Sequence, residues 1–294
     1  MLAGLLLLLF AQADPGERAA RAKDLIGSGR FAEAAVIYAG LAKEMPSTAG
    51  LWMNLGMAEH MAGRDAEAVR ALEQAVKLDP ALPPSHLFLG LAYFRLGRPE
   101  RAIAPLERFV TAQPDHRDAR QALADALMMT RRWEPAAAHF QRLTEIDPSA
   151  SRAFYGLGRA WEAVAAGAYD SIPAESAWRD VLAGSARAGV RRFPESLALY
   201  RRALSRNPKL RGVRAAIAEI YQETGHPNWA AEEEKREKAI PPADCKTERL
   251  ECSFRGGRYR ETIAAARPLK TAEAFYWTAR SADELAAAAF ARLE

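Results

Sequence analysis

Four prolines, Pro46, Pro80, Pro114 and Pro148, stand 34 residues apart. A fixed period of roughly 20–50 residues marks a stack of similar small units rather than one domain around one core. The content of each interval says what the unit is. Counting Ala49 as position 1, large apolar residues fall at positions 4, 7 and 24 (Trp52, Leu55, Leu72). Small ones fall at 8, 20 and 27 (Gly56, Ala68, Ala75), with Gly63 at 15 and Pro80 at 32. The next interval repeats the series with His86, Leu89, Gly90, Tyr93, Gly97, Ala102, Leu106, Phe109 and Pro114. A glycine at 15 tolerates the left-handed conformation that ends a first helix. A proline at 32 cannot continue a second one. Small residues at 8 and 20 let the two helices approach where they cross. One such pair cannot bury its apolar face alone, so neighbours must stack.

This pattern resembles the tetratricopeptide repeat, a helix–turn–helix unit of about 34 residues. The resemblance covers nearly all of the chain and implies an all-α fold, a right-handed superhelical solenoid. Strand signals are nearly absent, with no alternating β-branched runs. Residues 14–48 keep a degenerate frame, with Gly29-Arg30-Phe31-Ala32-Glu33-Ala34 at the turn and Arg18 at position 4 giving the first helix a wetter face. Ala49–Leu82 and Pro83–His116 fit best, and Arg117–Ala150 carries Arg131-Arg132-Trp133 at its turn. The array then changes step. Phe154, Leu157, Gly158 and Trp161 make a good first helix, but the next frame marker, Pro208, lies 60 residues beyond Pro148, eight short of two repeats. The deficit falls in 163–176, where a stunted second helix or irregular linker is expected. Residues 14–162 thus form an N-terminal array of four repeats plus the first helix of a fifth. Two more repeats follow over 177–244, and divergent helical repeats or a cap over 245–294. The chain stops with apolar residues still at helical spacing, so its last helix either caps the array or precedes a further segment.

Residues 1–13 are not part of the array. A short apolar run ends in Ala11-Gln12-Ala13, as in a secretory signal peptide, though no Lys or Arg precedes it. The run is short for a membrane span. The expectation is cleavage after Ala13 and a periplasmic or secreted protein; the alternative is an N-terminal membrane anchor. Cys245 and Cys252 are the only cysteines. In one straight helix their Cα atoms would lie about 10.5 Å apart, beyond the ~7 Å limit for a bridge. A disulfide therefore needs Cys245 in the loop after Pro241-Pro242 and a turn before Cys252. Both readings stay open here: a bridge, or two reduced and half-buried thiols.

The family resemblance implies an inner groove lined by first helices through positions 2, 5, 9, 12 and 13. Carried onto this sequence, those positions offer Met53, Met57, His60 and Met61, then Leu87, Leu91 and Phe94, then Asp125, Met128 and Met129, and Tyr155 in the fifth unit. The groove starts as an apolar, methionine-rich wall and becomes polar further along. Methionines adapt to varied partners, and such a wall suits a protein or peptide. The rival reading is that these residues only pack on the next helix. Some relatives clamp a chaperone C-terminus with Lys and Asn. Asn54 sits at one matching position, but Ala19, Pro84 and Phe88 hold places that need polar groups, so no clamp is expected.

Nothing points to catalysis, a metal or a cofactor. The five histidines make no H-E-x-x-H and no ligand pair with the cysteines. Gly156-Leu157-Gly158 has no preceding strand and is a repeat position, not a phosphate loop. The net charge of +4 is spread among interleaved acids and bases, and no basic–aromatic series recurs at one groove position, as an RNA-binding array would show. The sequence therefore reads as a non-enzymatic scaffold for a protein or peptide partner, without nucleic acid and without a membrane span in the mature chain. The alternative is an accessory part of a larger enzyme or of a secretion or envelope-assembly system whose active part is elsewhere.

Overall fold

Each 34-residue interval up to Ile146 becomes two helices joined by a three-residue turn: α1 (Pro15–Gly27) and α2 (Phe31–Glu44), α3 (Ala49–Met61) and α4 (Asp65–Leu78), α5 (Pro83–Arg95) and α6 (Pro99–Ala112), α7 (Arg117–Met129) and α8 (Trp133–Ile146). The computed structural model describes residues 14–293; the segment 1–13, read above as a signal peptide, lies outside the described residues, as does Glu294. The described residues form sixteen α-helices and no strand. They divide into two compact units between Ala153 and Phe154.

In the first unit the frame positions do what their size and shape dictate. The residue at position 15 is left-handed throughout, with φ of 81° at Gly63 and 60° at Arg131, where arginine stands for the usual glycine. A Cβ on Gly56 would lie 2.3 Å from Leu72 Cγ, and one on Gly90 would lie 2.5 Å from Leu106 Cγ. Position 8 is thus the seat for the position-24 side chain of the paired helix, and both leucines are fully buried. A second link joins successive repeats. The residue at position 4 donates to the carbonyl of the preceding position-32 proline: Trp52 Nε1 to Pro46 at 2.9 Å, His86 Nε2 to Pro80 at 2.8 Å and Arg120 Nε to Pro114 at 3.0 Å. Three chemically different side chains make the same bond, because the backbone repeat presents the same carbonyl each time.

The second unit holds most of α9 (Ser151–Ser171), then α10 (Ala177–Gly189), α11 (Phe193–Arg206), α12 (Val213–Glu223), α13 (Pro227–Lys238), α14 (Arg249–Arg255), α15 (Tyr259–Ala266) and α16 (Ala272–Phe290). Here the structure corrects the sequence reading. Residues 163–171 are neither a shortened second helix nor a linker; α9 runs unbroken for 21 residues. Its position 15 is Ala165 rather than a residue suited to a left-handed turn, the alanine-rich stretch favours helix, and no proline intervenes before Pro173. The missing partner is replaced from far along the chain. A Cβ on Gly158, at position 8, would lie 2.5 Å from Phe290 Cε1, so the end of α16 takes the place that Leu72 and Leu106 take in the first unit. Tyr155 faces the same ring at 6.2 Å between centroids, and Arg292 lies over Phe154 at 5.4 Å. Cys245, in the turns before α14, is bonded to Cys252 on that helix, with Cα atoms 5.6 Å apart.

Candidate functional site

The sequence-derived groove residues of the first unit lie on α3, α5 and α7. These first helices pack side by side, α3 on α5 and α5 on α7. Because positions 5, 9, 12 and 13 recur one helical turn apart, they share one face of each helix. Met53, Met57, Leu87, Leu91, Phe94 and Met128 are all half-buried, each leaving part of its side chain accessible. Met61 and Met129 are 47% and 59% exposed. A large, adjacent set of part-exposed apolar side chains is what a docking surface offers and what a lone surface leucine does not.

Three of the expected residues behave differently. His60 is buried, not part of the accessible wall. Its Nδ1 lies 2.6 Å from Asp65 Oδ1, and Arg95 binds the same carboxylate through Nε at 2.5 Å and Nη2 at 2.9 Å. Arg95 also donates to the His60 carbonyl. Burial pushes the His60 pKa down, the Asp65 hydrogen bond opposes that shift, and the Arg95 charge adds to it. Burial thus favours the neutral imidazole, and Arg95, on the first helix of the following repeat, ties the two repeats together through Asp65 and the His60 carbonyl. Asp125 accepts from Gln121 Nε2 at 2.9 Å and from Arg152 Nη2 at 3.0 Å, so both its oxygens have local partners. Tyr155 falls in the second unit and is 56% exposed.

In the second unit the equivalent positions are partly covered. Beyond the fifth unit the same frame extends to Trp178, Val181, Ser185 and Ala188 on α10 and to Ala215 and Glu219 along α12. Helix α16 packs on α10 and α14, and Trp178 lies tilted against Tyr276 at 4.6 Å and Trp277 at 6.2 Å. The frame is the signal that would have found these positions; the covering helix has no local signal.

Among the described residues no group of three or more His, Cys, Asp or Glu side chains is placed to hold a metal ion. Among them, too, no helix is long and apolar enough to cross a membrane.

A model of the tetratricopeptide repeat matches residues 19–83, 87–151 and 122–171, which is just over half of the chain. The chain belongs to the tetratricopeptide repeat family. It is therefore an all-α solenoid of helix pairs, in a family whose members are generally non-catalytic scaffolds that bind proteins or peptides. Solved structures with similar folds include YrrB, described as a TPR protein with an unusual peptide-binding site, at 19% identity, covering 66% of this chain and 87% of that one with a TM-score of 0.47. A tetratricopeptide repeat protein from Parabacteroides merdae matches at 15% identity, covering 94% of this chain and 98% of that one with a TM-score of 0.45. MamA from Desulfovibrio magneticus matches at 17% identity, over 65% of this chain and 94% of that one with a TM-score of 0.35. No curated protein matches the chain.

Proposed function

We propose that this tetratricopeptide repeat protein is a non-enzymatic adaptor that takes a protein or peptide partner on the first-helix face of its N-terminal unit. The observation that carries the reading is the set of part-exposed apolar side chains on α3, α5 and α7, with Met61 and Met129 the most open. A helix or extended peptide laid across them would bury several apolar groups at once, and flexible thioethers adapt to its shape. The mixed and apolar character of the face disfavours nucleic acid, which needs basic residues in series.

Phe94 is the aromatic anchor of this face, and a few such anchors dominate the energy of an interface. Once a pull-down with the chain has identified the partner, Phe94→Ala is expected to weaken binding by roughly 1–2 kcal/mol or more, measured by titration calorimetry. Arg70→Ala, at a solvent-exposed arginine paired with Glu67, should leave binding unchanged. Circular dichroism must show the Phe94 variant folded. If it is folded and binds as tightly as the parent, the site is not on this face.

The same proposal extends to compartment. The apolar run ending in Ala11-Gln12-Ala13 supports export with removal of residues 1–13, and a disulfide between Cys245 and Cys252 is in keeping with an oxidising compartment. Edman sequencing of the native protein is expected to begin at Asp14. A native chain beginning at Met1 or Leu2 would overturn the assignment to the periplasm or exterior.

A further inference from the structure

The second unit contains a cavity of about 610 Å³ that the reading above does not use. Its walls are groove positions of two successive repeats, among them Val181 and Ser185 on α10 and Glu219 on α12, together with Tyr276, Trp277 and Arg280 on the facing side of α16. The last helix of the chain thus turns part of an open groove into a pocket. Its size falls in the range, roughly 300–1,000 Å³, of sites for small ligands.

The charges on the walls say what would fit. Five ionised side chains line the cavity: Arg211, Arg255, Arg280, Glu219 and Glu223. Three of them are engaged. Glu251 accepts from Arg211 Nε and Nη2 at 2.9 and 2.8 Å and from Arg255 Nε at 2.8 Å. Glu223 lies 3.4 Å from Arg191. Arg280 is different: it makes no ion pair, donating to the Tyr276 hydroxyl at 3.2 Å and lying over the Phe254 ring at 5.1 Å, with Asp283 near enough on the same helix to feel its charge but not in contact. Glu219 is exposed and makes no ion pair among the described residues. Arg280 and Glu219 are therefore the two charged wall residues that have no ion pair among the described residues.

We infer that this cavity binds a zwitterion with an apolar body: a free amino acid or a very short peptide with both ends uncapped. The ligand carboxylate pairs with Arg280, its ammonium group with Glu219, and its apolar side chain lies against Phe193, Tyr200 and Tyr276. A simple anion would leave Glu219 unmatched and a simple cation would leave Arg280 unmatched, so complementary charge selects the zwitterion.

The test is isothermal titration of the full chain with phenylalanine, the dipeptide Leu-Phe, N-acetyl-Leu-Phe and Leu-Phe amide. Binding of phenylalanine or of Leu-Phe supports the proposal, and the tighter of the two gives the ligand's length. Acetylation and amidation should each weaken dipeptide binding roughly fivefold or more, as loss of a charged hydrogen bond does. Arg280→Gln should abolish the preference for the free carboxylate. Glu219→Gln should abolish the preference for the free amine, and its exposed position keeps that test independent of how well α16 packs. If neither zwitterion binds, or if the capped dipeptides bind as well as the free one, the proposal fails. This outcome is independent of the Phe94 test, which reads a face of the other unit.

Discussion

Leu72→Ala is expected to cost about 2–5 kcal/mol of folding free energy, read by urea denaturation followed by circular dichroism. Leu72 is fully buried. Its Cγ occupies the space that a Cβ on Gly56 would need, so truncation leaves a void where the two helices cross. Coupling between repeats then spreads the loss beyond one helix pair. Val36→Ala is the control, because Val36 is 72% exposed and should change stability by no more than about 0.5 kcal/mol. A loss below about 0.5 kcal/mol at Leu72 would mean that positions 8 and 24 do not meet as described.

The first unit was legible because its determinants are local and periodic. Proline at 32, a small residue at 8 and a turn residue at 15 act within one helix pair, and one frame transfers from repeat to repeat. The departures follow from partners that the frame does not carry. His60 sits at a groove position, yet it is drawn inside by Asp65 at the start of the following helix and by Arg95 one repeat later. No spacing rule pairs those three. The eight-residue deficit was visible in the proline spacing, but not its remedy. The partner of Gly158 is Phe290, on the last helix of the chain, and contacts at such separation leave no periodic trace. The accessible wall was readable as a pattern of methionine, leucine and phenylalanine, whereas the cavity was not, since one of its walls is supplied by that same distant helix.

That helix is also where the second large effect is expected. Trp277 on α16 is 5% exposed, and its ring lies 5.1 Å from Phe254, 6.2 Å from Trp178 and 4.8 Å from Tyr276. Its indole nitrogen donates to Glu273 one turn earlier at 3.3 Å. The side chain thus joins α10, α14 and α16, three helices that no short turn holds together. Trp277→Ala is expected to cost about 3–5 kcal/mol, as aromatic truncations in cores do. The loss should appear as an earlier urea transition and reduced near-ultraviolet dichroism, because the Trp178–Tyr276 pair loses its neighbour. Trp229→Ala is the comparison. Trp229 is 57% exposed, stacked on His226 at 4.3 Å and edge-on to Tyr221 at 5.4 Å. Its removal should cost about 1 kcal/mol or less. Equal losses from the two tryptophans would mean that α16 is a loosely attached tail; a large difference makes it the element that completes the second unit.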